Sequence, residues 1–190
     1  MNIEVAPKFK TPIVIPIERF PTKELFSLNS VDDSQELTDE DLSQITQVCN
    51  EELVYNTFFR NKFEGRLYTA EDASFFMDIA REGWQKNEWF IFLLRDPKKR
   101  VVGLIDLMSN DINTPVQIGY WVSSFAPGIM TNALSALSDL AKEAGFKSLY
   151  GTPRPTNQRS VGLLTRAGFT SQGQIEISGS TFLKMVKNLT

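Results

Sequence analysis

A strand, a short loop and a helix start follow one another after Pro115. Of all segments in the sequence, this unit is the one best suited to bind a ligand. The strand Val116–Val122 leads into the loop Ser123–Gly128, and a helix is predicted to begin after the glycine. Free backbone N–H groups at such a helix start, beside the positive end of the helix dipole, suit an anion such as a pyrophosphate. The alternative is a plain turn in which the glycine only relieves crowding, and this stretch alone favours that alternative.

The sequence contains no histidine and one cysteine, Cys49. The absence of histidine excludes Ser-His and Cys-His nucleophile systems and removes the usual imidazole ligands of a metal. Carboxylates alone suit zinc poorly, so we expect no metal site. Acid-base chemistry must come from Asp, Glu, Tyr, Lys, a terminal amine or water. Because Cys49 falls on the apolar face of a predicted helix, we interpret it as a buried structural thiol.

Asp106 stands between aliphatic residues in the predicted strand 100–108, where a carboxylate is unusual. It is therefore a candidate catalytic group. The favoured alternative is that Asp106 points to the solvent face of an alternating strand.

Charge and hydropathy narrow the class of protein. The net charge is −3, from 20 basic and 23 acidic side chains, which argues against a nucleic-acid partner. No apolar run approaches the roughly 20 residues of a membrane-spanning helix, so no membrane partner is expected. The segment Met1–Val5 lacks the pattern of a secretory signal, and the single cysteine fits a reducing compartment, so we expect a cytoplasmic protein.

Hydrophobic periodicity predicts one domain over residues 1–190, of the α/β (α+β) class, with a mixed sheet. The predicted strands are 12–17, 25–31, 88–95, 100–108, 116–122, 148–152 and a last hairpin that ends near residue 186. The predicted helices follow the caps Thr38 and Thr69 and the glycine at 128, and a fourth covers 157–166.

Four short motifs occur in a fixed order in the last third of the chain. They are Gly119-Tyr120-Trp121, Met130-Thr131-Asn132-Ala133-Leu134, Asn157-x-x-Ser160 and Gly168-Phe169. With these motifs the chain resembles the GNAT superfamily of N-acetyltransferases, especially its branch of ribosomal-protein and related N-terminal acetyltransferases. The predicted element order over residues 12–187 agrees with the fold of that family.

The resemblance implies the GNAT fold: a central sheet of about seven strands, flanked by about four helices and splayed between its fourth and fifth strands. That count is the family's; the corresponding strands here are 116–122 and 148–152, the fifth and sixth of the predicted strands. The implied cosubstrate, acetyl-CoA, lies in the opening between them. The implied cofactor-binding residues are Trp121, Val122, Ser123, Gly128, Ile129, Met130, Thr131, Asn157 and Ser160. Asn157 is equally suited to cap the helix that follows it.

The phosphate loop departs from the family pattern, which usually has a leading Arg or Gln and a second glycine. Here the loop reads Phe125-Ala-Pro-Gly-Ile-Met130 and is about two residues shorter. Pro127 also removes one backbone donor. We therefore expect this loop to hold a pyrophosphate less firmly than the usual one.

The catalytic positions of the family are altered as well. The branch often has a glutamate two residues before the strand's glycine, on the face that meets the substrate, whereas this chain has Gln117, which cannot accept a proton at neutral pH. Leu164 stands where some members have a tyrosine as general acid. Tyr120 and Tyr150 are candidate donors to the sulfur leaving group, although packing in the core or rim is the favoured role for each.

In this fold the acceptor is commonly recognised by the segment between the first two helices, here residues 56–68. Cations and aromatic side chains alternate in it, and Phe59, Arg60 and Phe63 are candidate substrate-binding residues. Such a segment can clamp an acidic or aromatic acceptor or contact a phosphate of CoA. A partly buried connection with solvated charges fits the pattern equally well.

The sequence thus predicts an acetyl-CoA-dependent N-acetyltransferase that acts on a primary amine, either a protein N-terminus or a small molecule. Two alternatives stay open. One is a non-catalytic CoA-binding or regulatory relative, and the other is a scaffold that uses the fold for protein contacts. The acceptor does not follow from the sequence, and exposed sheet edges allow a homodimer.

Overall fold

A computed structural model describes residues 6–34 and 36–190, so Met1–Val5, on which the expectation about a secretory signal rests, lies outside the described residues. The strands β1 to β8 are Val14–Glu18, Leu25–Ser30, Trp89–Arg95, Val101–Met108, Val116–Val122, Ser148–Gly151, Thr170–Ile177 and Ser180–Asn188. The helices α1 to α5 are Asp39–Cys49, Glu52–Val54, Ala70–Lys86, Met130–Glu143 and Gln158–Arg166. A π-helix, Tyr55–Phe59, continues directly from α2.

The strands form a single mixed sheet in the order β1-β2-β3-β4-β5-β6-β8-β7. Every neighbouring pair is antiparallel except β5 and β6, which are parallel. The predicted fold class is confirmed. The sheet has one strand more than the approximate count of seven, and the short α2 with its π-helix adds to the four expected helices.

Two capping boxes start α1 and α3, as the Thr-x-x-Asp spacing predicts. In α1, Thr38 Oγ1 accepts the Asp41 N–H at 3.2 Å and the Asp41 carboxylate accepts the Thr38 N–H at 3.0 Å. Thr69 and Asp72 make the same exchange in α3, at 3.3 and 2.8 Å. Each box satisfies backbone donors that the first turn leaves free, which fixes where the helix begins.

Helices cover both faces of the sheet and create two cores. On one face α1 and α3 pack against β3 and β4, with Ile45, Met77 and Leu104 among the buried residues. On the other face α4 and α5 pack through residues such as Leu134 and Leu164. Cys49 lies in the first core at 1% exposure, and burial raises the pKa of its thiol, so the prediction that it is buried is confirmed. Within the described residues, no helix is long and apolar enough to cross a bilayer.

Candidate functional site

The strands β5 and β6 diverge almost as soon as they meet. They pair at two positions, Val116 with Leu149 and Gln117 with Tyr150. β5 continues to Val122 and stays paired with β4 on its other side. One backbone edge of β5 is therefore open to hydrogen bonds from a ligand.

A cleft of about 720 Å³ opens where these strands diverge. Its volume lies in the range of roughly 300–1,000 Å³ that is usual for small-molecule sites. It is lined by β5, the loop that follows it, the first turn of α4, the end of β6 and α5. Among its lining residues are the predicted Gln117, Tyr120, Trp121, Val122, Ser123, Gly128, Met130, Thr131, Asn157 and Ser160.

The start of the loop after β5 is held by Glu51, the residue that precedes α2. The Ser123 hydroxyl donates to Glu51 Oε1 at 2.5 Å, and the Ser124 N–H donates to Glu51 Oε2 at 2.6 Å. One carboxylate thus connects the predicted cofactor loop to α2 and the π-helix. Sequence analysis missed Glu51, because the two segments are more than 70 residues apart in the chain.

The end of the loop is held by the turn between β1 and β2. The Phe20 N–H donates to the Gly128 carbonyl at 3.1 Å, and Arg19 Nε donates to the Pro127 carbonyl at 3.0 Å. Gly128 has φ +87°, and a Cβ on it would lie 2.2 Å from the Phe20 carbonyl oxygen. Only glycine fits at this position.

The start of α4 offers backbone donors to the cleft. Ile129 precedes the helix and provides no side-chain cap. Among the described residues, none accepts a hydrogen bond from the N–H groups at 128–131. Pro127 removes one donor, as predicted, but these donors remain beside the positive end of the helix dipole.

Three arginines supply the charge of the cleft. They are Arg154, Arg159 and Arg166, and the cleft lining contains no carboxylate within the described part of the chain. Arg159 and Arg166 are seven residues apart, two turns of α5, which places them on the same helix face. Guanidinium groups bind phosphate oxygens well. We did not predict these arginines, although the seven-residue spacing in the predicted helix was a usable signal.

Tyr120 connects β5 to α5 across the cleft. Its hydroxyl lies 2.6 Å from the Ser160 hydroxyl, and the Ser160 N–H donates to Asn157 Oδ1 at 3.1 Å. Asn157 therefore caps α5, as one of its two predicted roles requires. Burial raises the pKa of Tyr120 and outweighs the lowering by Ser160, so the phenol stays protonated at neutral pH and can donate.

Tyr150 lies outside the cleft lining. Its hydroxyl donates to Gln117 Oε1 at 3.2 Å, so it orients the Gln117 side chain, which does line the cleft. Tyr150 therefore affects the cleft only indirectly, by orienting the side chain of Gln117.

Asp106 is buried, at 7% exposure, so the favoured prediction that it points to solvent is wrong. The reason is its pairing with Gly119, which has no side chain. The Gly119 N–H donates to Asp106 Oδ1 at 2.7 Å, and a Cβ on that glycine would lie 2.8 Å from the same oxygen. Burial raises the pKa of Asp106 to about 6, against the lowering effects of the nearby Trp89 indole and the Gly119 N–H. Asp106 lies beneath Gly119 and does not line the cleft itself.

A second cavity, of about 230 Å³, shares Trp121 with the cleft. Its lining includes the predicted Phe59 and Phe63. Arg60 lines neither cavity, because its Nη1 donates at 3.2 Å to Asn56 Oδ1, one turn earlier on the exposed face. The position of Arg60 therefore gives no support to its predicted role in substrate binding.

Among residues 6–34 and 36–190, no three His, Cys, Asp or Glu side chains cluster as metal ligands do, so the acidic side chains in this part of the chain form no metal site. The buried Asp106 carboxylate accepts the backbone N–H of Gly119.

Comparison with known proteins identifies the family. The model of the acetyltransferase (GNAT) domain matches residues 35–170, so the chain belongs to the GNAT acetyltransferase family. No curated protein matches the chain significantly by sequence alone.

Solved structures agree with this fold. RimJ of Mycobacterium smegmatis, in complex with CoA-disulfide, is 18% identical, with a TM-score of 0.73 over 94% of this chain and 88% of RimJ. RimL, a ribosomal L7/L12 α-N-protein acetyltransferase in complex with coenzyme A, is 16% identical, with a TM-score of 0.70 over 93% and 98%. The aminoglycoside acetyltransferase AAC(6')-Ib, in complex with coenzyme A and kanamycin, is 16% identical, with a TM-score of 0.64 over 86% and 94%. At such identities the likeness shows the fold alone.

Proposed function

We propose that the protein transfers an acetyl group from acetyl-CoA to a primary amine by direct attack of the amine in a ternary complex. The observation that carries this proposal is the open edge of β5 beyond Gln117, beside a cleft whose charged residues are arginines. A strand edge can pair with the amides of pantetheine, and the arginines can bind the phosphates.

In this arrangement the cofactor lies along β5 and ends at α4. The backbone of Trp121–Ser123 pairs with the pantetheine arm, and the N–H groups at 128–131 bind the pyrophosphate. Asn157 and Ser160 contact the arm from α5. Arg159 neutralises phosphate charge, as its place in the cleft lining allows.

The reaction breaks the bond between the acetyl carbonyl carbon and sulfur after the amine nitrogen attacks that carbon. Tyr120 donates its hydroxyl proton to the departing thiolate and regains a proton through Ser160 and water. Because burial raises the pKa of Tyr120, its hydroxyl is protonated at neutral pH and can donate to the thiolate when the carbon–sulfur bond breaks. Much of the rate comes from holding the two reactants together.

The amine must lose a proton, and Asp106 is the proposed remote acceptor. Its pKa of about 6 lies close to neutral pH, which suits a group that takes and returns protons. Because it lies beneath Gly119 rather than in the cleft, the proton reaches it through water that Gln117 helps to order. The role of Gln117 is to orient the amine and this water, since a glutamine cannot take the proton itself.

A thiol-release assay tests the proposal. The protein is mixed with acetyl-CoA and a panel of primary amines, and free CoA thiol is measured together with the acetylated amine. We expect amine-dependent release of thiol. Release without acetylated amine would mean hydrolysis of acetyl-CoA and would contradict acetyl transfer.

A second candidate is a non-catalytic CoA-binding relative. It is supported by Gln117 at the usual base position and by Pro127 in the phosphate loop. Binding of acetyl-CoA with no thiol release for any amine in the panel would favour it. Absence of any CoA binding would favour a scaffold instead.

A further inference from the structure

The acceptor end of the cleft is built by α2 and the π-helix. Leu53, Val54, Thr57 and Phe58 line the cleft there. Leu53 and Phe58 are 52% and 48% exposed, so they present apolar surface toward the cleft and the solvent. The neighbouring Phe59 lines the second cavity instead, so the π-helix supplies aromatic walls to both spaces.

The second cavity is lined mainly by aromatic and aliphatic side chains. The Phe59 and Tyr68 rings have centroids 4.9 Å apart, and those of Phe63 and Tyr68 are 5.5 Å apart with the rings nearly perpendicular. Cys49, Phe75, Phe76, Ile79 and Trp121 complete its apolar lining. At about 230 Å³ it is smaller than a typical ligand site, so its size suits a single ring or a branched side chain.

The charge at the second cavity opposes a cationic acceptor. Among the described residues, Lys62 is the basic residue that lines this cavity, whereas the arginines of the cleft are the ones proposed above to bind the phosphates of CoA. Of the described residues in either lining, the one carboxylate is Asp72, which Arg66 binds at 2.7 and 3.0 Å. That pairing lowers the pKa of Asp72. A polyamine needs unpaired carboxylates, and a site without them disfavours each extra positive charge.

We propose that the acceptor is a primary amine attached to a single apolar group of about the size of an aromatic ring. The apolar group lies against Phe58 and Trp121 and enters the cavity around Phe63, while the amine stays at the cleft beside Gln117. Polycationic amines are poor acceptors. This inference rests on the proposed acetyl transfer and concerns its acceptor end.

The binding test uses the full chain saturated with CoA, so it does not depend on catalysis. The probes are phenethylamine, a short peptide that begins with phenylalanine, and spermidine, each titrated calorimetrically. We expect phenethylamine to bind at least about tenfold more tightly than spermidine. Equal or tighter binding of spermidine overturns the inference. The peptide separates the two sources of this chemistry, because binding much tighter than that of phenethylamine indicates a protein N-terminus.

Phe63→Ala and a matched control test the apolar cavity, and Lys62→Glu tests the charge beside it. Phe63→Ala removes one ring from the second cavity. It should weaken the binding of phenethylamine about tenfold while the Kd of CoA stays the same. Leu67→Ala is the matched control, because Leu67 is an apolar residue of the same segment, is 64% exposed and lines neither cavity. Equal effects of the two substitutions contradict the inference. Lys62→Glu changes an exposed residue of the cavity lining and should tighten the binding of spermidine several-fold, because it replaces a repulsive charge with an attractive one.

Turnover separates this inference from the proposed function. If phenethylamine binds but no amine is acetylated, the acetyltransferase proposal fails while the apolar nature of the site stands. If acetylation occurs and spermidine is the better substrate, the acetyltransferase proposal stands and the inference of an apolar acceptor fails.

Discussion

The two halves of the site are made in different ways. The proposed cofactor half consists of the β5 edge, the loop 123–129 and α5, which offer backbone hydrogen-bonding groups and guanidinium charges. The proposed acceptor half consists of α2, the π-helix and residues 60–68, where aromatic rings pack against one another. The first half depends on backbone geometry and the second on side-chain packing, so substitutions in the two halves should change different measured quantities.

Gly128→Ala should have the largest effect of all the substitutions. The effect should be on cofactor binding and not on acceptor binding. An added Cβ meets the Phe20 carbonyl at 2.2 Å at a positive φ, so the loop must move. We expect the Kd of acetyl-CoA, measured calorimetrically, to rise at least about 100-fold. Gly179→Ala is the control, since Gly179 has φ +73° and open space around it. Comparable losses in both variants would show that general strain, and not the loop, is responsible.

Asp106→Asn tests the buried carboxylate beneath Gly119, which is the proposed proton acceptor. Because burial raises the pKa of Asp106 from 3.8 to about 6, its contribution to stability is complete below pH 3.8 and is lost as the pH rises through 6. Asparagine does not ionise. The free energy of unfolding of the variant should therefore gain about 2 kcal/mol relative to wild type between pH 4 and pH 7.

Denaturant unfolding at several pH values measures this difference. Asp78→Asn is a suitable control, because the Asp78 side chain is 69% exposed. The same variants also test the proposed proton acceptor: an apparent pKa near 6 in the rate profile of wild type should disappear in Asp106→Asn. An unchanged rate profile would remove Asp106 from the mechanism.

Arg159→Ala should weaken the binding of acetyl-CoA about 20-fold, because the proposed charged hydrogen bond to a phosphate is lost. The acceptor KM should not change. Arg81→Ala is the control, since Arg81 pairs with Asp78 on the surface of α3 and lines neither cavity. A weaker dependence of binding on salt in Arg159→Ala than in wild type would confirm the ionic nature of the contact.

Tyr120→Phe should lower kcat about tenfold with little change in the Kd of acetyl-CoA. The effect is below the usual range for a general acid, because a thiolate leaves readily. Single-turnover measurement of thiol release gives the chemical step directly. A change in Kd without a change in kcat would assign Tyr120 to cofactor binding through Ser160.

Glu51→Gln should give the smallest effect, a rise of about threefold, but it should appear in both the cofactor constant and the acceptor constant. The Glu51 carboxylate, just before α2, accepts hydrogen bonds from the Ser123 hydroxyl and the Ser124 N–H. A glutamine can accept the Ser124 N–H with its amide oxygen, but its NH2 group must then donate to the Ser123 hydroxyl, and the charge is lost. Both the Kd of acetyl-CoA and the acceptor KM should rise. Glu52→Gln, at the next position, should change neither. If Glu51→Gln changes only one of the two constants, the carboxylate does not couple the halves.

Sequence reasoning succeeded where a few consecutive residues determine the structure. The boxes at Thr38 and Thr69 fixed the starts of α1 and α3, and the spacing of Asn157 and Ser160 placed the cap of α5. The ten predicted residues that line the cleft come mostly from two such local segments, β5 with its loop and the start of α5.

Sequence reasoning failed where partners distant in the chain decide the outcome. The face of Asp106 depends on its pairing with Gly119, and the loop contact of Glu51 spans more than 70 residues. The π-helix at 55–59 was not predicted, because its register follows no local repeat of apolar residues. The aromatic cavity likewise requires rings from several segments to meet.

The most direct test of the account is calorimetric titration of the wild-type protein with acetyl-CoA. The open edge of β5, the donors at 128–131 and the arginines of the cleft predict a micromolar Kd, about −8 kcal/mol of binding free energy. Absence of binding up to millimolar acetyl-CoA would contradict the proposal that this cleft is a cofactor site.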